Sequence, residues 1–131
     1  MLKKIFCAAF LCAAIIFVGN AKVSAQDVWV YTDTRTGTEY YVMTETLKNQ
    51  TPYRGVLWFE GYVKYVRGNS LITKKKFNTY QGEASFGYSI NDSEIIYFSL
   101  PKTTELEVAF KLRDYCRKYF NIPRDWFRMS G

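Results

Sequence analysis

The sequence predicts an α+β domain: an antiparallel β-meander of about six strands with one C-terminal helix packed on the sheet. Three observations carry this. Short runs rich in Val, Ile, Tyr, Phe, Trp and Thr, separated by turn residues, fill residues 27–100, the pattern of consecutive strands joined by tight connections. At Pro101 the pattern changes to apolar residues at helical spacing. A sheet with one face to cover and a helix with one stripe to bury have an economical solution, the helix laid across the sheet.

The elements follow in order. "DVWVYTD" (27–33) opens the meander, with Val28 and Val30 on one face and Trp29 and Tyr31 on the other. Gly37 turns the chain into "TEYYVMTE", and a looser segment, "TLKNQTPYRG", follows with Pro52 and Gly55 as breakers. The longest strand is "GVLWFEGYVKYV" (55–66). Its odd positions, Leu57, Phe59, Gly61, Val63 and Tyr65, suit a core, and its even positions, Val56, Trp58, Glu60, Tyr62 and Lys64, suit a wetter face. Gly61 in mid-strand marks a bulge or a close approach by another backbone. "RGNS" closes a hairpin into "LITKKKFNTYQ", after which come "SFGYSI", the turn "NDS" and "EIIYFSL".

The helix spans about 103–120, with Thr104 as N-cap and Glu107 three residues on as its capping-box partner. Leu106, Ala109, Leu112, Cys116, Tyr119 and Phe120 form its apolar stripe, and Asn121 and Pro123 stop it. In the tail, residues 121–131, Trp126 and Phe127 are expected to dock back on the body.

Residues 1–25 read as a secretory signal peptide. A basic start, "MLKK", precedes the apolar run "IFCAAFLCAAIIFVG", and Val23 and Ala25 occupy the −3 and −1 positions of a cut before Gln26. The run is short for a span of roughly 20 residues, so no stable membrane span is expected after cleavage. Cys7 and Cys12 lack the small preceding residues of a lipidation site. The expected location is exported, periplasmic or at the cell surface, with residues 26–131 as one small domain.

Without the leader, the 18 basic side chains lose Lys3, Lys4 and Lys22, leaving 15 against 12 acidic ones, a net charge of +3. That is a weak footprint for nucleic acid, and an exported protein seldom meets it. Only Cys116 remains of the three cysteines, so no disulfide forms within the mature chain. Its place on the helix stripe suits a buried thiol, with an intermolecular disulfide as the alternative for an odd cysteine in a secreted protein. All 3 Trp and all 11 Tyr lie beyond the leader, and buried aromatics supply the apolar area that disulfides would otherwise spare.

The chain contains no histidine, which removes Ser-His and Cys-His nucleophilic catalysis. No glycine-rich phosphate loop and no metal-ligand cluster is visible, so neither a cofactor nor a metal is expected. Glu60, between Trp58 and Tyr62 on the even face, is the best single acid for carbohydrate chemistry, but a small meander offers little depth for a cleft. The three lysines of "LITKKKF" divide by period two: Lys74 and Lys76 share a face with Ile72, and Lys75 points the other way. Lys64 from the hairpin partner is expected to join Lys74 and Lys76 in a basic rim beside Trp58 and Tyr62. Lysines on a strand edge also discourage unwanted pairing.

"VWVYTD", "EYYVMTETL", the long strand "LWFEGYVKYV" and the basic strand after it resemble the surface-adhesin protein E type of small exported bacterial proteins. The resemblance implies about six antiparallel strands with a C-terminal helix, and adhesin-like binding of extracellular-matrix or host proteins. The fourth strand holds no cysteine, so a disulfide to the helix does not carry over.

The leading functional expectation is a non-catalytic binding module of the bacterial envelope or surface. It would hold a protein or envelope component of unknown identity through Trp58, Glu60, Tyr62, Lys64, Lys74 and Lys76. The alternative is a small-ligand-binding or carbohydrate-active protein with a pocket between sheet and helix around Glu60. A third reading is a homodimer paired through strand edges.

Overall fold

The computed structural model describes residues 26–52 and 55–129; the signal-peptide expectation for residues 1–25 lies outside the described residues. The elements are β1 (Asp27–Asp33), β2 (Thr38–Asn49), β3 (Leu57–Arg67), β4 (Ser70–Gln81), β5 (Phe86–Ile90), β6 (Ile96–Tyr97), α1 (Thr104–Tyr119) and a short α2 (Trp126–Met129). The six strands form one sheet in sequence order, each antiparallel to the next. The meander expected from the turn spacing is the topology observed.

Alternation along β3 separates the two faces as expected. Leu57, Phe59, Gly61, Val63 and Tyr65 are buried, and they join Val42, Phe77 and Tyr88 of the neighbouring strands against Leu106, Val108, Ala109, Leu112 and Cys116 of α1. Gly61 is a close-approach site, but for side chains and not for another backbone. A Cβ there would lie 2.6 Å from Leu47 Cδ2 and, at ordinary contact distance, 3.6 Å from Leu112 Cδ1, so the missing side chain makes room for Leu47 of β2 over the central strand.

Two irregularities change the predicted faces and limits. The β1–β2 register slips between Trp29 and Tyr31, which places Tyr31 opposite Tyr40. Tyr31 therefore packs against the core, not beside Trp29, because one extra residue in a strand reverses the alternation beyond it. In β2, a second slip between Met43 and Lys48 lets "TLKN" remain strand instead of loop. Thr46 bridges the gap: its hydroxyl donates to Met43 O at 2.6 Å and accepts from Tyr62 N at 2.9 Å.

The helix begins with a cap one residue earlier than expected. Thr103, not Thr104, is the N-cap, and its hydroxyl accepts from Leu106 N at 3.2 Å. Thr104 is drawn elsewhere, its hydroxyl donating to Asp33 Oδ2 and accepting from Arg35. At the other end Asn121 adopts φ 57°, with Asn121 N bonded to Lys118 O and Ile122 N to Arg117 O. This paired closure satisfies the terminal carbonyls. Trp126 and Phe127 return to pack against the core cluster, as the tail's aromatic content suggests. Among the described residues no helix is long and apolar enough to cross a membrane.

Candidate functional site

The sheet's second face, away from α1, holds the residues singled out by sequence. Strand register carries Trp58 opposite Tyr80, Glu60 opposite Asn78, Tyr62 opposite Lys76 and Lys64 opposite Lys74. On the other side of β3, Tyr41 faces Lys64 and Met43 faces Tyr62, with Trp29 of β1 opposite Tyr41. The six predicted residues thus share one face of one hairpin. They do not act as one charged patch.

Lys64 is buried, with 7% of its surface exposed. Its ammonium donates to Asp27 Oδ2 at 2.7 Å, and the Asp27 side chain is wholly buried. The expected basic rim is therefore corrected: Lys64 is a tie between the first strand and the central one. Lys76 donates to Asp92 Oδ2 at 2.8 Å, and that hydrogen bond holds its ammonium above the usual lysine range. Lys74 is exposed and takes no ion-pair partner among the described residues. Lys75, on the core side, stands 5.0 Å from the Tyr65 ring centroid, a cation–π contact.

Glu60 is held by amide and ammonium neighbours. Gln50 Nε2 donates to Oε1 at 3.4 Å, and Lys48 Nζ lies 4.0 Å from Oε2. A pocket between sheet and helix around Glu60, Trp58 and Tyr62 is ruled out by their position, since all three stand on the face away from α1. Four surface concavities of about 350 to 650 Å³ are lined by other residues. Among the described residues no group of three or more His, Cys, Asp or Glu side chains could hold a metal.

The aromatic part of the face is better developed. Trp58 Nε1 donates to Asn78 Oδ1 at 2.8 Å, and the Trp58 and Tyr80 rings lie 5.6 Å apart. The hydrogen bond and the ring contact hold the indole in place while Trp58 stays partly exposed. Trp29, 54% exposed, and Tyr62, 38% exposed, flank the buried ion pair. Trp29 was legible only as an aromatic in the first strand; its place beside Tyr41 comes from the β1–β2 register.

Cys116 is fully buried, and burial pushes its thiol up to about 12. An intermolecular disulfide would require opening α1. The native protein should resist a thiol reagent at neutral pH and react stoichiometrically once unfolded. Rapid labelling of the native state would place the sulfur at the surface.

Sequence reasoning missed two features. Asp33, Arg35 and Thr104 join the β1–β2 turn to the start of α1, with Arg35 Nε 3.3 Å from Asp33 Oδ1; the Arg35 hydrogen bond holds the Asp33 carboxyl below its usual range. The second is an apolar rim along residues 95–100, where Ile95, Ile96, Tyr97, Phe98 and Leu100 are all exposed. The unbroken apolar run in "EIIYFSL" was its available signal.

No family model matches the chain, and no curated protein and no solved structure matches it.

Proposed function

We propose that this protein is an exported, non-catalytic binding module of the bacterial envelope or surface, which holds a protein or envelope component with the outer face of its sheet. The observation that carries the reading is the division of labour between the two faces. α1 and the tail pack on one face, while the other presents Trp29 and Tyr62 at its surface, flanked by a fixed Trp58. Rigid aromatic side chains in this setting are the residue types that anchor interfaces. The leader read from residues 1–25 and the resemblance to surface-adhesin protein E support the location and the adhesin-like role.

With Lys64 and Lys76 already in ion pairs, the contact rests on aromatic burial more than on charge. Direct binding of the protein to immobilised matrix proteins and envelope components tests this. Saturable binding is expected, with Trp29→Ser plus Tyr62→Ser weakening it about tenfold or more, in the range of aromatic anchors. Lys74→Glu should change it less than about threefold, as a rim charge does. No saturable partner, or full affinity in the double variant, overturns the proposal.

A further inference from the structure

β1 is an outer strand of the sheet, and its free edge faces α1 across a groove. A concavity of about 350 Å³ is lined on one side by Val28, Trp29 and Val30. Successive side chains of a strand point to opposite faces, so the neighbours Val28 and Trp29 share one hollow through the backbone edge between them. The other wall is a single stripe of α1, Lys111, Asp114, Tyr115 and Lys118, at the spacing of one helix face.

The backbone is open where the groove meets it. Thr44 N donates to Gln26 O at 3.4 Å, and Val28, two positions on, lies opposite Val42. Bonded and non-bonded pairs alternate along an antiparallel ladder, so Val28 bonds into the sheet and the N–H and C=O of Trp29 face outward. Trp29 Nε1 donates to Thr32 Oγ1 at 2.8 Å, which holds the indole along its own strand. The register slip after Trp29 then turns the edge, as bulges at sheet margins do. The free ladder is therefore short.

Charge identifies the occupant. Lys111 and Lys118 are exposed and take no ion-pair partner among the described residues. Asp114 between them is neutralised by Arg113, whose Nη2 lies 2.8 Å from Asp114 Oδ1. Residues 111–124 hold five basic side chains against one acidic, a net +4, whereas the rest of residues 26–131 holds ten against eleven, a net −1. The positive excess of the domain is thus concentrated along this wall of the groove and the turn after it. The remaining lining, Val28, Val30 and Tyr115, is apolar and buried or half-buried.

We propose that this groove docks an acidic segment of a partner protein, bound extended as a seventh strand beside β1 with its carboxylates against Lys111 and Lys118. Open strand-edge groups are met by the backbone of an added strand, and unpaired lysines across the groove are met by negative side chains. The bulge after Trp29 keeps the added strand to a few residues. Side chains on its helix side meet Tyr115 and the two lysines. The site goes beyond the proposed outer-face contact: it uses the backbone of Trp29, where that contact uses the ring.

The test is fluorescence anisotropy of a short labelled peptide of alternating glutamate and valine, titrated at low salt with the protein as the cell processes it. Saturable binding is expected, and Lys111→Glu plus Lys118→Glu should weaken it about tenfold or more. Both lysines are exposed, so that variant should keep the thermal melt of the unmodified protein. Lys102→Glu, at the other end of α1, is the charge control and should change binding less than about threefold. The same peptide N-methylated along its backbone keeps its carboxylates but cannot pair as a strand, and it should also lose about tenfold or more. No binding overturns the proposal, as does full affinity in the double variant. Equal binding of the methylated peptide, or of a lysine–valine counterpart, overturns it too. The outer-face contact is read with matrix proteins and not with this peptide, so each can fail alone.

Discussion

Lys64→Ala is expected to destabilise the fold by about 3–5 kcal/mol, the range for removing one partner of a buried ion pair. The Asp27 side chain is wholly buried and Lys64 nearly so, so truncating the lysine takes the neutralising ammonium away from a buried carboxylate. β1 is tied to β3 across β2 by this contact, and its loss should loosen β1 first, seen as faster amide exchange at Val28 and Val30. Replacing both partners, Asp27→Leu with Lys64→Met, should recover more than half of the loss, since apolar substitutes of similar volume need no mutual neutralisation. Urea melts of the unmodified protein, Lys64→Ala and the double variant make the comparison. A cost under about 1 kcal/mol for Lys64→Ala would mean that the pair behaves like a solvated surface bridge.

Phe59→Ala should cost a similar amount, about 3–5 kcal/mol, by a different route. Phe59 is fully buried in the central strand and stacks on Phe120, ring centroids 5.7 Å apart and nearly parallel. Truncation leaves a cavity between the sheet and the end of α1, where Asn121 and Ile122 close the helix. The last turn of α1 and the tail should therefore lose exchange protection before the strands do. Leu71→Ala, at an exposed position, is the control and should stay within about 0.5 kcal/mol. Domains of this size carry about 5–15 kcal/mol in all, so Phe59→Ala takes a large share of what holds the molecule together. Equal effects of Phe59→Ala and Leu71→Ala would remove Phe59 from the centre of the core.

The elements were readable because their signals are local. Alternation along residues 57–65 reports the pleat of a single strand, and the stripe from Leu106 to Cys116 reports one helix. Both periods are properties of the backbone itself. Legibility fell at the irregularities. One slip between Trp29 and Tyr31 moved Tyr31 to the core, and another kept "TLKN" in the sheet. The cap moved from Thr104 to Thr103 because Asp33 and Arg35, some seventy residues earlier, compete for the Thr104 hydroxyl.

The candidate site was legible as a set of residues on one face, and that placement holds. What the set can do was not legible. Lys64 looked like an exposed cation from its even position in an amphipathic strand, yet its charge is spent on Asp27, 37 positions away. Lys76 is likewise held by Asp92. The apolar run at Ile95–Leu100 looked like one more strand, and only the sheet order makes it an outer one.

By itself, then, the sequence determined the fold class, the strand order and the division of β3 into a core side and an outer side. Period and turn chemistry act within a few residues of each other, and so they can be read along the chain. Only the tertiary structure decided which charges are neutralised, which aromatics stay exposed and which edge lies open. Those outcomes depend on register and on contacts between residues far apart in sequence, and a single bulge is enough to change them.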